Sequence, residues 1–141
     1  MKNSCVRFFC AVIVLFSAIS LSGCYSAREK AYYADMTNFI TEEATVDNII
    51  YNKEYNYIVL WLSGISPLYQ SSEFIIRHEN VAEIIENGFF DKIKVGDTIT
   101  YTSAPGCFSN GYFMPIVGMS VKGTVILDVE IGYQNLMNSY E

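Results

Sequence analysis

From about residue 36 onward, the sequence predicts a small, mainly β domain of five to six strands, with one short helix between the third and fourth strands and a short helix at the C-terminus. Most of its apolar segments are five to eight residues long and rich in β-branched and aromatic residues. Gly, Pro and Asn punctuate the intervals between them. One segment instead repeats its apolar residues at helical spacing. The 141-residue chain is long enough for one such domain.

Each strand is predicted from a short run between turn signals. The first two runs flank Asn52-Lys53-Glu54, which predicts an antiparallel hairpin. The last two runs flank the tight turn at Lys122-Gly123, and Gly118 before it predicts a bend or bulge. The predicted strands are Ala44–Tyr51, Tyr55–Leu62, Glu73–Arg77, Thr98–Thr102, Pro115–Val121 and Thr124–Val129.

Two helices are predicted. The first covers Asn80–Asn87, because Asn80 and Glu83 have the spacing of a capping box and Asn87-Gly88 is a typical left-handed stop. The second covers Gly132–Glu141, and we expect its Leu136 and Met137 to point inward.

This order of elements resembles an OB-fold, a five-stranded Greek-key barrel with a helix between its third and fourth strands. SH3-like and other small β-barrels share the hairpin content and are the alternative. In an OB-fold the second and third strands and the loops beside them bind ligands. The resemblance therefore implies a candidate binding surface on this chain, while the alternative for each aromatic residue is a place in the core. Its residues would be Trp61, Tyr69 and Phe74, with Tyr57 and Ile76 beside them, and Phe108, Tyr112 and Phe113 from the loop 103–113.

The N-terminus has a different character. Lys2 and Arg7 precede an apolar run, Phe8–Leu21, of 14 residues. A membrane-spanning helix needs roughly 20 apolar residues, so the run is better suited to the apolar region of a signal peptide. The next residues, Ser22-Gly23-Cys24, complete with Leu21 a sequence that resembles a bacterial lipobox. The resemblance implies cleavage between Gly23 and Cys24 and a diacylglyceryl group on the Cys24 thiol. A plain signal peptide, or a short anchor in which Cys24 is incidental, is the alternative.

These patterns divide the chain into a signal peptide (1–23), a lipidated N-terminus and tether (24–35) and a barrel domain (36–141). The chain resembles the small lipoproteins of bacteria, and its richness in Asn, Ile, Tyr and Glu favours a Gram-positive source. The resemblance implies attachment to the lipid bilayer through Cys24, on the extracytoplasmic face of the cell membrane.

Charge and composition exclude several functions. Loss of Lys2 and Arg7 with the signal peptide changes the net charge from −6 to −8. Such an acidic chain is repelled by phosphates, so we expect no nucleic-acid partner.

Once Cys24 is lipidated, Cys107 has no partner for a disulfide within the chain. His78 is the single histidine, and the common hydrolase and metalloprotease motifs are absent. We therefore expect no catalytic residues, metal site or cofactor.

The sequence thus predicts a non-catalytic binding or interaction module on a membrane anchor, with a protein or a glycan as its ligand. Two alternatives stay open. One is an accessory or structural subunit of an envelope or transporter complex. The other is a small enzyme that uses Cys107 or His78.

Overall fold

The computed structural model describes residues 27–106 and 114–141, and their strands form a small barrel with helices against it. The strands are β1 (Ile40–Asn52), β2 (Tyr57–Ser63), β3 (Glu73–Arg77), β4 (Thr98–Ser103), β5 (Met114–Val121) and β6 (Thr124–Leu127). The helices are α1 (27–33), α2 (Glu79–Glu86), α3 (Phe89–Lys92) and α4 (Val129–Asn138), and a single 3₁₀ turn covers Met36–Asn38.

Five of the strands close into a ring in the order β1-β2-β3-β5-β4. Neighbours in the ring are antiparallel except β3 and β5, which are parallel. Their parallel seam has two residue pairs, Phe74 with Met114 and Ile75 with Pro115. β6 extends the sheet from β5 as a hairpin. The ring, with α2 and α3 between β3 and β4, confirms the prediction of a mainly β, OB-like barrel with a C-terminal helix.

Because of these strand directions, the barrel has two distinct ends. At one end β1, β3 and β5 finish, and this end carries the β1–β2 turn, α2, α3 and the β5–β6 turn. We call it the helical end. The core is closed at this end by four fully buried apolar side chains, those of Val81, Ile84, Phe89 and Ile93. We call the opposite end, where β1, β3 and β5 begin, the loop end.

The helices begin at different residues from those predicted. α4 begins at Val129 because the Asp128 carboxylate accepts hydrogen bonds from the backbone N–H groups of Glu130 and Ile131. This cap was wrongly predicted to lie in the last strand. Leu136 is buried, as predicted, and Met137 packs partly buried in the same cluster.

The predicted capping box at Asn80 is wrong. α2 begins at Glu79, and Asn80 lies inside the helix with its side chain buried. Its amide donates to the carbonyl oxygen of Gly132 (3.0 Å), and its oxygen accepts from the Asn135 amide (2.9 Å). Because both partners belong to α4, Asn80 joins the two helices instead of capping one. Gly88 does adopt the predicted left-handed conformation, with φ +82°.

α1 belongs to the stretch predicted as tether, and the structure packs it against the barrel. Tyr33 is buried in a second apolar cluster with Ala104, Val117 and Leu136. The Tyr33 hydroxyl donates to the carbonyl oxygen of Gly106 (3.2 Å). None of the helices in the described residues is long and apolar enough to cross a membrane.

α4 crosses β5 at very close range, and two glycines make this approach sterically feasible. A Cβ atom on Gly132 would overlap the carbonyl oxygen of Val117, and one on Gly118 would overlap the Val129 side chain. The β4–β5 register also shifts beside Gly118, which confirms the predicted irregularity there.

Candidate binding face

A bulge in β1 decides which of its side chains face outward. The register with β2 shifts between Val46, which pairs with Leu62, and Asn48, which pairs with Trp61. Asp47 is the extra residue, and its carboxylate accepts a hydrogen bond from the Ser63 hydroxyl (2.8 Å). Since side chains alternate between the faces of a strand, one extra residue exchanges the inward and outward sets.

After the bulge, Ile49 and Tyr51 pack against the core, and Asn48, Ile50 and Asn52 point outward. Together with the outward residues of β2 and β3 they form what we call the β1–β2–β3 face. It consists of three rows that cross the strands: Asn48–Trp61–Glu73, Ile50–Val59–Ile75 and Asn52–Tyr57–Arg77.

The centre of this face is apolar. Val59 is only 4% exposed, yet it belongs to neither core cluster. Its partners on the adjacent strands are Ile50 and Ile75, and side chains directly opposite each other on adjacent strands are in contact range. Ile50 and Trp61 are 44% and 42% exposed. An apolar centre with aromatic residues and a polar rim is the usual anatomy of a protein interface.

Two of the predicted surface residues lie in the core instead. Phe74 is fully buried and Tyr69 is 7% exposed, so the prediction that they form a binding surface is wrong. Phe74 points inward on β3, as does Ile76. Tyr69 folds over the loop end, and its ring contacts that of Phe74 at a centroid distance of 4.9 Å. Phe74 and Tyr69 therefore take the alternative stated for each aromatic residue, a place in the core.

Of the predicted residues, Trp61 and Tyr57 lie on the β1–β2–β3 face. Phe108, Tyr112 and Phe113 lie outside the described residues, as does Cys107. The sequence-based prediction missed Ile50, Val59 and Ile75. Their position depends on the bulge, whose one signal in the sequence is the polar pair Asp47-Asn48 that interrupts the apolar alternation of β1.

At the loop end a carboxylate points into the barrel. Glu42 accepts hydrogen bonds from the backbone N–H of Ser66 (3.3 Å) and from the Tyr101 hydroxyl (3.5 Å). Burial, with the Glu42 charge nearby, raises the pKa of Tyr101 to about 12. Burial also raises the pKa of Tyr69 far above its usual value. Both phenols are protonated at neutral pH, and the cluster lies at the loop end of the barrel.

His78 is a largely exposed residue whose side chain lines a shallow cleft of about 210 Å³ between α2 and the end of α4. Partial burial and the adjacent Arg77 charge lower the pKa of its imidazole, which favours the neutral form. The other residues that line this cleft are Glu79, Asn135, Asn138 and Ser139. In the described parts of the chain, no group of three or more His, Cys, Asp or Glu side chains is placed to hold a metal ion.

A different outer face, on β1, β4 and β5, carries hydroxyl groups. Thr41 and Thr102 share a hydrogen bond of 2.8 Å there. With Thr100 and Ser120 they line a cleft of about 150 Å³ beside β6 and α4. None of the described residues that line this cleft is aromatic, so the β1–β2–β3 face is the stronger candidate for ligand binding.

The candidate binding surface is therefore a sheet face with an apolar centre, two aromatic residues and a polar rim. Such a surface can bind by apolar burial and ring stacking, without a chemical step. Comparison of the chain with protein-family models, with curated proteins and with solved structures gives no match.

Proposed function

We propose that this protein is an extracytoplasmic lipoprotein, anchored to the cell membrane through Cys24, whose barrel is a non-catalytic binding module. The anchor is supported by the basic start, the apolar run and the lipobox-like Leu21-Ser22-Gly23-Cys24. The observation that supports the binding role is the β1–β2–β3 face, where Ile50, at one end of a continuous apolar row, and Trp61, beside that row, are exposed.

The shape and composition of the face favour a protein ligand. Its centre is a row of aliphatic side chains across three strands rather than a deep pocket. Protein interfaces concentrate their binding energy in such desolvated centres, with Trp, Tyr and Arg as frequent contributors. Trp61, Tyr57 and Arg77 stand on the two sides of the row. A glycan that stacks on Trp61 is the second outcome for a binding experiment to distinguish.

The test compares two exposed aliphatic residues on different faces. Ile50 is 44% exposed on the β1–β2–β3 face, and Val125 is 58% exposed on β6. A photo-crosslinking amino acid at each position, in cells that carry the full lipidated chain, should capture a partner from position 50 and none from position 125. Ile50→Asp should then weaken binding of the purified partner about tenfold or more, because a carboxylate in a desolvated centre costs at least 1–3 kcal/mol.

Trp61 supplies an independent readout. It is the single tryptophan of the chain, so its fluorescence emission reports on this face alone. Binding of the crosslinked partner, or of a ligand from a glycan array, should shift the emission to shorter wavelength. Equal capture from both positions, or an unchanged emission at saturating ligand, would contradict the binding role of the face.

Cys24→Ser should release the protein from the membrane fraction, and retention of that variant would contradict the anchor.

A further inference from the structure

α1 runs from the helical end of the barrel to the loop end. At its start, the Glu29 carboxylate forms an ion pair with Arg77 (3.5 Å), which is the last residue of β3 at the helical end. At the C-terminal end of α1, the Tyr33 hydroxyl donates a hydrogen bond to the carbonyl oxygen of Gly106, which follows β4 at the loop end. The chain that precedes α1 therefore meets the domain at the helical end.

Several contacts fix α1 to the rest of the domain. Tyr33 is 1% exposed, and its ring contacts Phe39 and Tyr140. The Tyr133 hydroxyl of α4 donates to the carbonyl oxygen of Ala34, directly after α1 (2.9 Å). Burial, with the Glu29 carboxylate beside it, raises the pKa of Tyr140 well above its usual value. α1 is thus part of the packed domain rather than a flexible spacer.

The chain between the proposed anchor and α1 is short. Cys24 precedes residue 27 by three positions, and three residues span at most about 11 Å even when fully extended. If Cys24 carries a lipid, as the proposed function requires, the helical end cannot lie far from the bilayer surface.

The two ends of the domain differ in net charge: α1 and the helical end together are close to neutral, and the loop end is negative. All seven Lys and Arg residues that follow Cys24 lie in α1 or at the helical end, among a similar number of carboxylates. They are Arg28, Lys30, Lys53, Arg77, Lys92, Lys94 and Lys122. The described residues of the loop end, in contrast, have carboxylates and no basic residue, with Asp35, Glu42, Glu43 and Glu73 among them.

Anionic lipid headgroups attract nearby basic residues and repel carboxylates. We therefore propose that the helical end of the barrel rests against the phospholipid headgroups, and that the short tether and the packed α1 hold the domain in this one orientation. The loop end then points away from the membrane. Trp61 pairs with Glu73 at the start of β3, so it lies in the half of the β1–β2–β3 face that is farther from the bilayer.

The experiment measures the depth of two sites in the same lipidated protein. Glu54 is exposed in the β1–β2 turn of the helical end, and Leu68 is 62% exposed at the loop end. Each is replaced by Cys in a Cys107→Ser background, labelled with a fluorophore and reconstituted into vesicles of phosphatidylcholine and phosphatidylglycerol. A fraction of the lipids carries a nitroxide quencher on the headgroup. We expect several-fold stronger quenching of the label at position 54 than of the label at position 68.

A matched variant has a flexible Gly/Ser insertion of about ten residues between Ser26 and Ala27, which extends the tether by roughly 17 Å without changing the domain. The difference between the two labels should largely disappear in this variant. Equal quenching in the native chain, or stronger quenching at position 68, would overturn the proposed orientation. A difference that survives the insertion would overturn the role of the short tether. A protein that does not associate with vesicles at all would contradict the anchor itself, which separates this failure from a failure of orientation.

Discussion

At Gly132 the structure depends on a missing side chain, because α4 crosses β5 so closely that a Cβ atom would overlap the Val117 carbonyl oxygen. We expect Gly132→Ala to lower the free energy of unfolding by about 1–3 kcal/mol, since overpacking costs more than the roughly 1 kcal/mol that Ala gains in a helix. Urea unfolding measures this change. Gln134→Ala, at an exposed position of the same helix, is the control and should be nearly neutral. An unchanged or increased stability of Gly132→Ala would mean that α4 does not cross β5 here.

A second prediction concerns Tyr101 and the stability of the protein in alkaline solution. Its pKa is about 12 in the folded protein because of burial and the nearby Glu42, against about 10 in an unfolded chain. The resulting stabilisation is complete below pH 10 and is lost as the pH rises through the folded pKa, because the unfolded state releases the proton first.

We therefore expect Tyr101→Phe to lose less stability than the native protein between pH 10 and pH 12. Urea midpoints across this range measure the effect, and Tyr55→Phe, at a residue that is 70% exposed, is the matched control. Identical pH profiles for the native protein and Tyr101→Phe would contradict the burial of this hydroxyl. Part of the decline should remain in the variant, since burial raises the pKa of Tyr69 and Tyr140 as well.

Single residues also show what the sequence could not predict. Trp61 and Phe74 are both aromatic residues in strands with apolar neighbours, and composition alone does not separate them. The β2–β3 register does, because it places Leu60 opposite Phe74 in the core and Trp61 opposite Glu73 outside. Register is a long-range property of the folded sheet, and a slip of one residue would exchange the two faces.

Among the elements, β3 was predicted with its observed bounds, and the other strands were predicted to within a few residues. The largest difference is β1, which begins at Ile40 rather than Ala44. Its first part, Ile40–Thr45, pairs with β4, a partner distant in sequence, and polar residues dilute its apolar pattern. The Asp47 bulge was not predicted either, because the polar pair Asp47-Asn48 does not by itself show which residue is left unpaired against β2.

The packing of α1 against the barrel can be tested through Tyr33. Tyr33 anchors this helix in the second cluster, so Tyr33→Ala should lower the free energy of unfolding by about 3 kcal/mol, a typical value for truncating a buried aromatic residue. Thermal or urea unfolding of the purified protein measures it. Tyr55→Ala, in the exposed β1–β2 turn, should change stability by no more than about 0.5 kcal/mol. Similar small effects of both substitutions would mean that α1 does not pack on the barrel.

For the whole molecule, the order of elements predicted the barrel correctly, because hairpins and a helix between the third and fourth strands restrict the possible topologies to a few. The composition of the β1–β2–β3 face, the candidate binding surface, was predicted only in part. Its location on β2 and β3 followed from the OB-fold resemblance, and Trp61 and Tyr57 do lie there. Its apolar row could not be predicted from any local stretch of sequence. Ile50, Val59 and Ile75 lie on three different strands, and the bulge in β1 determines that Ile50 points outward.

The closed ring also has a kinetic consequence. β1 pairs with β4 through Ile40 and Ser103, which are 63 residues apart, and the β3–β5 seam joins residues 40 apart. Loop-closure entropy must be overcome before such distant contacts form, and barrels of this kind typically fold in milliseconds to seconds. Until β4 and β5 arrive, the first part of β1 has an unpaired edge that can pair with other chains. The chain is therefore most prone to aggregation before β4 and β5 have joined the sheet.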